Sequence, residues 1–114
     1  MLLAAICLFA AAAVAGIFLA TAIFTQRKAA MAVALVHGFA GAAGLACLAL
    51  FVLPEEEPGR PGFSLLVLTL NALVGFYLFS HHVRKKPWPK SIIVVHGLAA
   101  VTAFLLLLLT FFGL

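Results

Sequence analysis

Four long apolar runs take up most of this chain, and they decide what it can fold into. They lie at roughly Leu2–Thr25, Ala29–Leu53, Phe63–Val83 and Pro89–Phe112. Each is long enough to cross a hydrocarbon layer of about 30 Å, which takes about 20 helical residues. An unbroken apolar run is the helical signal, whereas a barrel strand alternates apolar and polar residues. The chain has 114 residues, 67% of them hydrophobic and 9% charged, with mean hydropathy +1.30. A soluble domain so short has too little interior to hide that surface, so lipid must be the solvent for most of it. The expectation is an all-α integral membrane protein with four transmembrane helices and no room for a soluble domain.

The runs are related in pairs. Val36-His37-Gly38 recurs as Val95-His96-Gly97, and a shift of about 59 positions, the self-comparison that reveals internal repeats, brings further matches without a gap. Gly16 falls on Gly75, Leu19 on Leu78, Ala40 on Ala99, and Gln26-Arg27 on the basic Lys85-Lys86. Leu and Ala matches carry little weight in so apolar a chain. A histidine matching a histidine inside an apolar run carries much more. The chain is therefore read as one membrane domain built from two tandem two-helix repeats, residues 1–57 and 58–114.

The first run has no charged segment before it and is too long for a signal-peptide core. The small residues Ala10–Ala13 resemble a cleavage site, but removal would leave the third helix without its counterpart, so the first helix is expected to be retained. Gln26-Arg27-Lys28 is a connection short enough to make helices one and two antiparallel neighbours. The second connection, Pro54 to Gly62, carries three glutamates, three prolines and two glycines, and is expected to be non-helical and in water. The third runs from Arg84 to Lys90, with Trp88 suited to an interfacial anchor and Pro89 to the first turn of helix four.

Every Lys and Arg except Arg60 lies in the first and third connections. The positive-inside rule then makes these two cytoplasmic and puts both termini and the glutamate loop outside. The expected location is a bacterial inner membrane. Each unit has an even number of spans, so the repeats share one orientation and are related by a pseudo-two-fold axis along the membrane normal. The bundle is antiparallel, and His37 and His96 sit at matching depth, each about eight residues from its basic loop, roughly 12 Å at 1.5 Å per residue. The net charge of +4 comes from loop clusters and bears on topology, so no nucleic-acid partner is expected. Cys7 and Cys47 fall in apolar runs opposite Leu66 and Leu106 and read as small hydrophobes.

An imidazole in a membrane is costly and by default faces the bundle interior. At three- and four-residue spacing His37 shares its helix face with Ala34, Ala40, Gly41 and Gly44, and His96 with Ile93, Ala99, Ala100 and Ala103. Taken alone, such small residues form a seam for close helix packing. Next to a matched pair of histidines the same surface becomes room for a flat ligand. The leading expectation is a b-type cytochrome-like protein with one haem b, His37 and His96 as its metal ligands, and Ala40, Gly41, Gly44, Ala99, Ala100 and Ala103 lining its site. If the helices form a square in chain order, helices two and four are diagonal, and neighbour spacings of about 8–10 Å leave more room across that diagonal. Arg27, Lys28, Arg84, Lys85, Lys86 and Lys90 would be charge partners for propionates. With both axial positions filled, the chemistry is electron transfer, with a redox partner or quinone and no catalytic residue. The arrangement is similar in kind to four-helix haem-binding membrane cytochromes, an analogy of architecture.

Other readings compete. A transporter or ion pathway suits tandem repeats, yet no span contains Asp or Glu. A two-histidine zinc site lacks the further ligands zinc prefers. A scaffold or accessory subunit would hydrogen-bond its histidines across the bundle, and a pigment-binding variant would give each histidine a chlorophyll. Enzyme activity and a homo-oligomer are both left open. His81 and His82 match Ala22 and Ile23 and read as interfacial, Asn71 as a hydrogen bond to a neighbouring helix, and Tyr77, opposite Phe18, as core or lipid-facing.

Overall fold

The computed structural model describes all residues, Met1–Leu114, and is entirely helical. Its elements are α1 (Leu2–Phe24), α2 (Met31–Val52), α3 (Gly59–Arg84) and α4 (Lys90–Phe111), all four long and apolar enough to cross a membrane. The helix ends follow from local chemistry. Lys85 takes a left-handed conformation (φ 53°), and the amide of Lys86 returns to the carbonyl of His81 at 3.0 Å, which satisfies an otherwise free end of α3. α1 closes in the same way, with Gln26 at φ 59° and the Arg27 amide on the Ala22 carbonyl at 2.7 Å.

The second connection is shorter than its prolines suggest. α3 already starts at Gly59, so Pro61 and Gly62 lie inside the helix. The first four amides of a helix have no intrahelical partner, and a proline there forfeits nothing. Gly62 is required for a separate reason. A Cβ at this position would lie 2.7 Å from the Pro58 ring.

Each helix packs on its chain neighbours, and α1 closes the ring against α4, so α1 faces α3 and α2 faces α4 across diagonals. The body measures 44 × 22 × 21 Å. Both termini and the glutamates of the α2–α3 connection lie at one end, and the two basic connections at the other. Large apolar side chains point outward: Phe39 and Phe76 are 73% and 71% exposed. The interior is built at the glutamate end from Ala5, Ile6, Phe9, Leu48, Val52, Leu68, Ala103 and Leu107. Leu48, Leu107 and Ser64 are fully buried, and the Ser64 hydroxyl donates to the Ala103 carbonyl at 3.0 Å.

At the basic end the contacts are aromatic and polar. His81 Nδ1 bonds the Pro87 carbonyl at 3.0 Å, the His82 ring meets Trp88 edge-on with centroids 5.4 Å apart, and the Lys90 ammonium lies 5.8 Å from the Phe24 ring centre. The two histidines thus tie α3 to the connection that follows it, and Lys90 ties α4 to α1 through a cation–π contact.

Two glycines on one helix test the packing. A Cβ on Gly44 would lie 2.8 Å from the Phe9 ring, whereas one on Gly41 would meet nothing within 4 Å. Gly44→Ala should cost about 1–3 kcal/mol by overpacking. Gly41→Ala should be neutral or gain up to about 1 kcal/mol from helix propensity. Reversible unfolding in mixed detergent micelles measures both, and equal effects would contradict the packing described.

Candidate functional site

Two interior histidines meet at the centre of the bundle. His37 on α2 and His96 on α4 come from diagonal helices, and their ring centroids are 6.2 Å apart with planes inclined at 68°. Each ring reaches this position because the neighbouring helix offers a glycine beneath it. A Cβ on Gly16 of α1 would stand 3.0 Å from Cε1 of His37, and one on Gly75 of α3 would stand 3.4 Å from Cε1 of His96. An antiparallel helix pair joined by a short turn fixes this register, and any larger residue at Gly16 would push the His37 ring out.

The hydrogen bonds around the two rings differ. His37 Nδ1 lies 2.7 Å from the Ala12 carbonyl of α1, an acceptor, so Nδ1 carries the proton and the neutral ring keeps its lone pair on Nε2. On the other side, Asn71 of α3 donates its amide N–H to the backbone carbonyl of His96 at 3.0 Å, the kind of cross-helix bond its sequence suggests. The Nδ1 of His96 is buried and has no hydrogen-bond partner. A buried ring nitrogen left that way costs about 1–3 kcal/mol.

The small residues near the histidines divide into two groups. Gly44 and Ala103 belong to the packed core: Phe9 covers Gly44, and Ala103 is fully buried with its carbonyl accepting from Ser64. Ala40, Gly41, Ala99 and Ala100 are half-buried, and Gly41 borders open space. The glycines that follow the histidines, Gly38 and Gly97, are exposed on the outer surface. Sequence reasoning matched Gly16 with Gly75 but did not assign them to the site. The antiparallel register of each pair was the signal that would have done so.

The histidines are joined by no third ligating side chain. No group of three or more His, Cys, Asp or Glu residues is placed to hold a metal ion. Cys7 and Cys47 are both free. His81 and His82 sit in their own contacts with Tyr77, Pro87, Phe79 and Trp88. The fold and the site together define a small helical membrane-type bundle with a histidine pair at its centre and its Lys and Arg side chains, Arg60 excepted, at one end. Comparison with protein-family models, with curated proteins and with solved structures returns no match.

The glycine contacts make the two imidazoles separately testable. Gly16→Ala should displace the His37 ring and weaken its bond to the Ala12 carbonyl, whereas Gly75→Ala, with more room, should leave His96 nearly undisturbed. The ¹⁵N shifts of the two rings in micelles measure this. A His37 signal unchanged by Gly16→Ala would contradict the close approach.

Proposed function

We propose that the chain is a membrane electron-transfer protein that holds one b-type haem between His37 and His96. The observation that carries this reading is the 6.2 Å separation of the two rings. Metal–imidazole bonds of about 2 Å make this a separation that two imidazoles would show if His37 and His96 held one metal ion between them. The donor chemistry agrees. A ligating histidine commonly gives its other N–H to a carbonyl, as His37 does to Ala12. A site with two imidazoles and no third protein ligand suits a metal whose remaining positions are filled by a macrocycle.

The small, half-buried residues Ala40, Gly41, Ala99 and Ala100 would flank a disc at this position. Toward the glutamate end, Phe9 lies over Gly44, and this ring must turn aside for the edge of a macrocycle. A haem held there by His37 and His96 would supply a one-electron iron couple. The protein's part is to orient two imidazoles, exclude water with the packed glutamate end, and offer Arg27, Lys28, Arg84, Lys85, Lys86 and Lys90 to propionates. A redox partner or quinone follows as the source and acceptor of electrons.

The tandem-repeat reading, with a pseudo-two-fold axis along the membrane normal, is supported by matching positions in both halves. Leu48 and Leu107 are each fully buried, Gln26 and Lys85 are each left-handed, and Gly16 and Gly75 each lie under a histidine. The orientation proposed has the basic connections in the cytoplasm of a bacterial inner membrane and both termini outside. In a chain with Cys7→Ala and Cys47→Ala, Glu56→Cys should label from outside with an impermeant reagent, and a reporter after Leu114 should behave as exported. The reverse pattern in both assays rejects this orientation.

A second reading keeps the histidines as packing elements. It rests on the bonds from His37 to the Ala12 carbonyl and from Asn71 to the His96 carbonyl, which link neighbouring helices without any ligand. The two readings separate in a visible spectrum of the protein purified after haem supplementation. A low-spin haem spectrum should be present in the parent and lost in His37→Ala and in His96→Ala, and His81→Ala and His82→Ala should keep it. Gly41→Leu should exclude the ligand with both imidazoles intact, and Phe9→Ala should raise the haem content. A colourless parent, or low-spin spectra surviving both single histidine replacements, rejects the ligand assignment.

A further inference from the structure

The outer face of the α1–α2 pair carries a groove that the histidine site does not use. Its larger part, about 460 Å³, is entirely apolar and lined among others by Ala11, Ala15, Phe18, Ala32 and Val36. A smaller part of about 160 Å³ meets it at Phe18 and Val33 and runs on to Ala22, Ala29 and Lys28. From Ala11 to Ala22 along α1 is about 16 Å at 1.5 Å per residue, close to half of a hydrocarbon layer of about 30 Å. Ala11 lies near the middle of α1, so the groove covers the depth of one leaflet and opens at its basic end.

We infer that this groove is a binding site for one anionic phospholipid, with an acyl chain along Ala11, Ala15, Ala32 and Val33 and the headgroup phosphate at Lys28 and Arg27. Two observations beyond the groove itself select this occupant. The first is charge. Lys28 lies at the mouth, Arg27 is next to it, and the only carboxylate side chains, Glu55, Glu56 and Glu57, are at the opposite end. A phosphate there meets cations that have no protein counter-ion. The second is the contrast with the α3–α4 pair. The positions about 59 residues further on hold Leu70 for Ala11, Val74 for Ala15, Ile92 for Val33 and Pro87 for Lys28. The side chains at these positions are larger on the second face, and the counterpart of Lys28 is a proline whose carbonyl is taken by His81. Lipid recognition is thus assigned to the α1–α2 side of the molecule, where Lys28 and Arg27 face the phosphate and the four basic residues of the third connection are left for other anions.

Native mass spectrometry of the full chain tests this, using neutral detergent with equimolar phosphatidylglycerol and phosphatidylcholine of identical acyl chains. The parent should retain phosphatidylglycerol in preference. Lys28→Glu should lower that retention about tenfold, from one attraction lost and one repulsion gained. The double variant Ala11→Leu/Ala15→Val, which copies the second face without altering charge, should lower it by a similar factor. Lys86→Glu makes the same charge change at the same end away from the groove and should stay within about twofold of the parent. If the double variant fails to fold, Ala32→Leu fills the groove from α2 and is read in the same way. Equal losses in Lys28→Glu and Lys86→Glu, or full retention by a folded groove-filling variant, overturn the site.

Discussion

Lipid as the outer solvent is the constraint on which the rest of this structure depends. In water, the apolar surface of a bundle is driven inward. In a bilayer the acyl chains are as apolar as leucine, so helices associate through close packing and a few hydrogen bonds. The residues sort accordingly. Phe39, Phe76, Leu53 and Leu73 lie outside, while Ala5, Ala12, Gly44 and Ala103 lie inside. Small interior residues let backbones approach, and each close approach then determines which larger side chain fits: Phe9 over Gly44, His37 over Gly16, His96 over Gly75.

The same constraint governs the interior polar groups, since none of them has bulk water to fall back on. Ser64, Asn71 and His37 each bond a carbonyl of the helix alongside. These bonds are individually small, about 0.6 kcal/mol on average in membrane bundles and seldom above 2 kcal/mol. Their value lies in direction. Ser64 to Ala103 and Asn71 to His96 fix the register of α3 on α4, and His37 to Ala12 fixes that of α2 on α1. Register in turn brings two imidazoles from diagonal helices to one depth.

Much of this was legible in the sequence, and all but one of the exceptions share a physical origin. Run lengths fixed the spans to within a few residues, because the cost of unpaired backbone in lipid leaves little freedom at the ends. α3 starts four residues before the expected Phe63, because Pro61 sits in a first turn where no amide bond is lost. The two histidines stood out as the only imidazoles deep in apolar runs. The seam beside them was read from α2 and α4 alone. What fills it comes from a third helix, Phe9 of α1, and a side chain's choice of neighbour across the bundle has no local signature. The groove on α1–α2 was invisible for the same reason, being a gap between helices.

One difference between the halves bears directly on the chemistry of the histidine pair. Ala12 and Asn71 each lie 25 residues before the histidine they serve. In the first half the residue offers only its carbonyl, and His37 Nδ1 takes it. In the second half the side chain of Asn71 reaches the backbone of α4, and His96 Nδ1 is left buried without a partner. A histidine whose N–H is bonded to a carbonyl is locked in tautomer and orientation and is the more basic ligand; one without that bond is free to turn. The two imidazoles are alike in position and unlike in restraint. His37 is therefore the imidazole held in one tautomer and one orientation, and His96 the one that can turn within the bundle.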